Sequence, residues 1–260
     1  MKKIYFLSLA FLTLLVAGCK SEKKVTYYSD IYAEKPTLIF LSPVEDQTER
    51  RVEKYPKDAA YNNELNTAAS YMFQTMAHPL INHGYYVIGA VASEQIAEQI
   101  GFTPKQWRNS GLQTLSQKYG VDAVLNTTII RWAEENGKWI AYLEYQLRSA
   151  KTNVELMHKW VKAVKEVPTN LKGDPIVMQG DKNFAKKMGF DNGTAQRCFL
   201  LEKVNDYVLR NIPISSSVRQ YEDDLYKAAT ETYILYKWSE EGKADVQKCS
   251  IEEFEQGAYL

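Results

Sequence analysis

Asn136-Gly137 is the feature that most constrains the fold. The pair lies between two runs that read as strands, Val121–Trp132 before it and Trp139–Leu147 after it. A two-residue hairpin turn needs positive φ at both central positions, which Asn and Gly adopt at little cost. The return run puts Trp139, Ala141, Leu143, Tyr145 and Leu147 on one face. Ile140, Tyr142, Glu144, Gln146 and Arg148 fall on the other. The more apolar stripe should face helices and the mixed stripe should face outward. Lys151-Thr152-Asn153 then turns the chain into a third strand, Val154–Val167.

Upstream the pattern alternates between strand and helix. Pro36 opens the apolar run Thr37–Leu41, which stops at Ser42-Pro43. Val44–Tyr61 is charged and reads as a long excursion. Leu65, Ala68, Ala69, Met72, Phe73, Met76 and Leu80 recur at helical spacing, with Pro79 expected to kink that helix or restart its last turn. Gly84 should stop it, and Tyr85–Ala90 reads as a strand. Ser93 is the expected cap of a short helix closed by Gly101, and Thr103-Pro104-Lys105-Gln106 opens another that ends at Gly120. Two helical crossovers make the first three strands parallel. The fold class expected is therefore α/β, with a mixed five-stranded sheet (parallel βαβαβ plus antiparallel hairpins) packed by helices. Pro168–Asn192 is loop-like, Thr194–Asn211 is helical, and Tyr221–Trp238 reads as a further helix with Leu225, Ala228, Ala229 and Thr232 on one side.

The amino terminus carries an address. Lys2 and Lys3 precede an apolar run, Ile4–Val16, that ends in Ala17-Gly18-Cys19. At about 1.5 Å per residue this run is too short for a hydrocarbon core of about 30 Å, so it reads as a cleaved export signal. Its end resembles the lipobox of bacterial lipoproteins, which implies lipid on the Cys19 sulfur and acyl chains, palmitate among them, that hold the chain to a membrane. Lys20 after the cysteine points to the outer membrane by analogy with enteric sorting. Lys20–Glu34 is polar and reads as a tether. The organisation expected is a signal peptide at 1–18, a tether at 19–35, an α/β domain at 36–213 and a helical C-terminal extension at 214–260. Lys and Arg total 32 against 32 Asp and Glu, a balance that argues against nucleic acid as a partner. Cys198 and Cys249 remain after Cys19. Outside the cytoplasm they form either a disulfide, closing a loop of about 50 residues worth roughly 4 kcal/mol, or two buried thiols.

Few residues suggest chemistry. His78 and His83 are five apart, off the spacing that aligns two ligands on a helix, and His158 reads as a sheet-surface residue. No metal or cofactor is expected. Asp122 follows Gly120 at a strand start, where such a residue usually fixes a turn. Glu45-Asp46 and Asp223-Asp224 are adjacent carboxylates that read as solvated. Trp132, Trp139 and Trp160 lie in or beside the hairpin strands. Core packing accounts for most such rings, and an exposed fraction would suit a protein partner.

Three strings also follow one another at family-like distances: Pro36-Thr37-Leu38-Ile39-Phe40-Leu41-Ser42-Pro43, His78-Pro79-Leu80-Ile81-Asn82-His83-Gly84-Tyr85-Tyr86-Val87 and Gly120-Val121-Asp122-Ala123-Val124-Leu125. With the lipobox they resemble bacterial lipoproteins of unknown function that share a fold with the amino-terminal domain of the translocation protein TolB. The resemblance implies a non-enzymatic accessory lipoprotein of the periplasm, with a curli-secretion-pore-like lipoprotein as candidate partner. It brings no catalytic residues. The function expected is docking of an envelope secretion or transport complex, with Tyr142, Glu144 and Gln146 as the partner surface. The alternatives are a cell-envelope hydrolase using Asp122 or a carboxylate near Glu45, and a small-ligand sensor with a cleft at the strand ends.

Overall fold

Asn136 and Gly137, at φ 50° and 70°, form the tight turn between β4 (Ala123–Glu135) and β5 (Lys138–Ser149). The ladder runs from Glu135↔Lys138 to Ala123↔Ser149. Asn153 takes φ 63° and turns the chain into β6 (Glu155–Glu166), antiparallel to β5. The computed structural model describes residues 28–48, 59–101, 112–166, 186, 192–216, 231–238, 243–250 and 253–254. The lipobox with Cys19, the Thr103–Gln106 motif, Asp223-Asp224 and nearly all of 168–191 lie outside the described residues.

β1 (Leu38–Leu41) lies between β3 (Tyr86–Ile88) and β4, parallel to both, so the expected crossovers are present. The first passes through α2 (Ala59–Thr75) and α3 (Ala77–Asn82). The chain breaks at Met76 and Pro79 sits in the restarted turn, where its missing N–H matters least. The second passes through α4 (Ala90–Ile100) and α5 (Leu112–Tyr119). Ser93 is inside α4 rather than at its cap, and its Oγ donates back to the Ile88 carbonyl at 2.9 Å. A two-residue strand, β2 (Glu45–Asp46), pairs with β4 inside the stretch expected to be an excursion.

The sheet has eight strands rather than five. The additions include β7 (Glu231–Trp238), parallel to β6, and β8 (Ala244–Cys249), antiparallel to β7, in the region expected to be a helical extension. The reason lies in Thr232–Trp238, which is aromatic and branched and has a period of two. Ile234 and Tyr236 are buried on one face while Tyr233 and Leu235 stand on the other. α6 (Asn192–Arg210) lies between β6 and β7 in the chain, within the long connection that two parallel neighbours require. The expected boundary at 213 therefore falls inside one sheet.

The tether also ends earlier than expected. Tyr28 and Ile31 are buried, and Ser29–Glu34 is a helix, α1, seated beside β6. The Tyr28 hydroxyl donates to the Asn211 carbonyl at 3.2 Å, and the Glu34 carboxylate accepts from Ser149 and Thr152 at 3.0 and 2.7 Å.

α1, α2, α3 and α6 cover the first face of the sheet, where Ile39, Met72, Leu125, Trp139, Tyr145 and Val204 join one core. The second face is covered differently along its length. At the β3–β1–β4 end, Leu112 and Leu115 of α5, together with Ile96 and Ala97 of α4, pack on Phe40 and Val124. Farther on, among the described residues, the rings of Tyr142 and Tyr233 meet Phe254.

Candidate functional site

The second face of β4–β7 is built by alternation and one irregularity. In β4 the register shifts between Ile129 and Arg131, a bulge that leaves Ile130 without a partner position on β5. Residues before the bulge would place Arg131 on the first face. After it, Arg131 pairs with Tyr142 on the second. The resulting cross-strand rows are Arg131–Tyr142–Lys162–Leu235 and Thr128–Glu144–Trp160–Tyr233.

The structure brings the three expected surface residues together on this face, but not as open surface. Tyr142 and Glu144 are half-buried and Gln146 is buried. Glu144 Oε1 lies 2.8 Å from His158 Nε2, and Glu155 Oε2 lies 3.2 Å from His158 Nδ1. Gln146 donates to the same Glu155 oxygen at 2.6 Å. These contacts fix the His158 ring, which stacks on Trp160 at 3.6 Å, and Trp160 stacks on Tyr233 at 4.8 Å with planes 7° apart. Phe254 lies 5.8 Å from Tyr142 and 5.4 Å from Tyr233. Its turn begins with a reciprocal capping box: Ser250 N–H donates to Glu253 Oε2 at 2.8 Å, and Glu253 N–H to Ser250 Oγ at 3.2 Å.

Two cations flank the Tyr142 ring, Arg131 at 5.4 Å and Lys162 at 5.5 Å from its centroid. Arg131 also pairs with Glu135. Burial lowers the pKa of Lys162, and the positive charges of Arg131 and Lys237 lower it further.

The other candidates serve the fold. Asp122 Oδ2 accepts from Thr37 N, Thr37 Oγ1 and Leu38 N at 3.0, 2.8 and 2.9 Å, and Lys151 Nζ lies 2.6 Å from Oδ1. Partial burial raises its pKa, but Lys151 and these donors outweigh that and bring it to about 2. Asp46 accepts from the Thr48 N–H and hydroxyl, and Glu45 accepts from Gln47. Burial and Arg210 lower the pKa of His83, whose carbonyl accepts from Ser215 N–H. Trp132 and Trp139 are buried on the first face, edge to face at 4.6 Å. Cys198 and Cys249 are thiols rather than the disulfide the sequence allows. Cys198 is buried in the core on α6, whereas Cys249 stands opposite Tyr233 on β8. Among the described residues, no three His, Cys, Asp or Glu side chains gather to hold a metal ion, and no helix is long and apolar enough to cross a membrane.

Sequence reading does not single out Lys162, Tyr233 or Phe254, and it misses the pairing of His158 with Glu144. Assigning faces along Val154–Val167 would place His158, Trp160 and Lys162 together. Arg131 joins them only through the bulge, which has no local signature.

Neither a protein-family model nor a curated protein matches the chain. Several solved structures are similar over part of it. The lipoprotein GNA1162 from Neisseria meningitidis is 20% identical at a TM-score of 0.42, covering 53% of this chain and 89% of its own. The hypothetical protein CT253 from Chlamydia trachomatis is 18% identical at a TM-score of 0.37, covering 66% of this chain and 98% of its own. The C-terminal domain of LpoB from Salmonella enterica is 13% identical at a TM-score of 0.29, covering 54% of this chain and 85% of its own.

Proposed function

We propose that the chain is a lipid-anchored accessory protein of the bacterial envelope that docks a partner protein through the second face of β5–β7 and catalyses no reaction. The observation that carries this reading is the organised strip on that face. Glu144 and Glu155 fix His158, His158 stacks on Trp160, and Trp160 stacks on Tyr233. Aromatic side chains held rigid beside charged groups lose little entropy on binding and make good interface anchors. The residues Val16-Ala17-Gly18-Cys19 support the anchor, and Lys20 supports the outer membrane as its place. The resemblance read in the sequence supports a TolB-like fold and a curli-secretion-pore-like lipoprotein as the partner.

The test compares wild type, Cys19→Ser and Tyr142→Ala in pull-downs from native membranes. Cys19→Ser should leave the membrane fraction. Tyr142→Ala should remain there and recover the partner about tenfold less well. Equal recovery by Tyr142→Ala and wild type would defeat the docking face, and full membrane retention of Cys19→Ser after a salt wash would defeat the anchor.

A further inference from the structure

Lys162 has surroundings that folding does not explain. The residue is 2% exposed, yet Nζ has no hydrogen-bond partner. A buried ammonium in that state opposes folding. The face of Tyr142 offers it partial compensation, while among the described residues the cations Arg131 and Lys237 and the carboxylate of Glu135 act on it. Arg131 is tied to Glu135, Lys237 stands opposite Asp245 in the ladder, and among the described residues no carboxylate hydrogen-bonds Lys162. The two rings that Phe254 touches flank β6, so the C-terminal turn lies across the strand at the level of Trp160 and Lys162.

We infer that Lys162 anchors a carboxylate-binding subsite, in which an acidic peptide segment of the partner displaces Phe254 and lays its apolar side chains on Tyr142, Trp160 and Tyr233. This deepens the docking reading and rests on it. A carboxylate supplies the hydrogen bond that Nζ lacks, and a pair formed away from water is stronger than one at the surface. Lys162 and the rings beside it share one sheet face, so the acidic and apolar side chains that meet them must recur at every second position of an extended segment, with the residues between pointing away. Phe254 fills the ring positions until such a segment arrives, held there by a turn whose capping box is its own.

The test titrates the full chain with a labelled peptide that carries phenylalanine and glutamate at every second position with serine between them (Phe-Ser-Glu-Ser-Phe), and with its twin carrying glutamine for glutamate. Wild type should bind the glutamate peptide about tenfold more tightly than the twin. Lys162→Met should abolish that preference while raising the urea midpoint, because it removes an uncompensated charge and keeps the stem. Phe254→Ala should tighten binding of the glutamate peptide. The subsite is overturned if Lys162→Met keeps the preference or lowers the midpoint, since either result makes Lys162 structural. It is also overturned if phosphatidylglycerol vesicles bind in a Lys162-dependent way and the peptide does not. In the membrane pull-down, a partner kept by Lys162→Met and lost by Tyr142→Ala would remove the subsite and leave the docking face standing. A partner kept by both variants would remove the docking face itself.

Discussion

Asp122 shows how one carboxylate can hold two strands in register. It accepts three hydrogen bonds from Thr37 and Leu38 at the start of β1, and Lys151 meets its other oxygen. Lys151 is exposed, so salt screens its share and the three donors from β1 carry most of the effect. A carboxylate held near pKa 2 contributes stability that is complete above the ordinary range near 4, and that contribution is lost as pH falls through about 2. Asp122→Asn should therefore cost on the order of 2 kcal/mol at neutral pH, and the gap from wild type should close between about pH 4 and pH 2. Urea melts across that range check it, and a gap that persists unchanged at the acid end would contradict it. Lys162 makes the opposite case, a buried ammonium without a hydrogen-bond partner, whose desolvation opposes folding.

At the scale of elements, Asn205 joins three of them at one buried point. Tyr145 of β5 donates to its Oδ1 at 2.7 Å, and its Nδ2 reaches the Met72 carbonyl at 2.9 Å and Thr75 Oγ1 at 2.8 Å in α2. Asn205→Ala improves helix propensity in α6 but leaves the Tyr145 hydroxyl and the Met72 carbonyl without that partner. It should cost roughly 2–5 kcal/mol in a denaturant melt, and a neutral result would show that the network adds no stability. The elements legible in the sequence are those with local causes. Asn136-Gly137 and Asn153 set the turns of β4–β6, and Gly84, Gly101 and Gly120 take positive φ where helices end. β7 and β8 were not legible because the packing of Thr232–Trp238 depends on pairing with a strand some seventy positions earlier in the chain. α1 has little local signature because Tyr28, Ile31 and Tyr32 make a stripe of a single turn inside a polar stretch. For the site, alternation along β5 was enough to group Tyr142, Glu144 and Gln146. The cover that the Tyr142 ring receives from Phe254 was not legible, because Phe254 lies more than a hundred positions away.

For the whole molecule, the two sheet faces divide the work. Among the described residues, α1, α2, α3 and α6 cover the first face and make the core, and α1, seated beside β6 with Tyr28 and Ile31 in that core, continues back in sequence toward Cys19. The second face is sealed at the β3–β1–β4 end and carries its rings and charges at the other. Tyr86, 68% exposed on the short edge strand β3, lies at the sealed end and offers a contrasting surface. The central claim is that a partner meets the second face of β5–β7 while the chain is anchored. It is tested most directly by placing a photo-crosslinking residue at Trp160 in one strain and at Tyr86 in another, then irradiating intact cells. A crosslink from position 160 that disappears in the Cys19→Ser background, with none from position 86, is the predicted result. A crosslink from position 86 with none from position 160 would contradict the account.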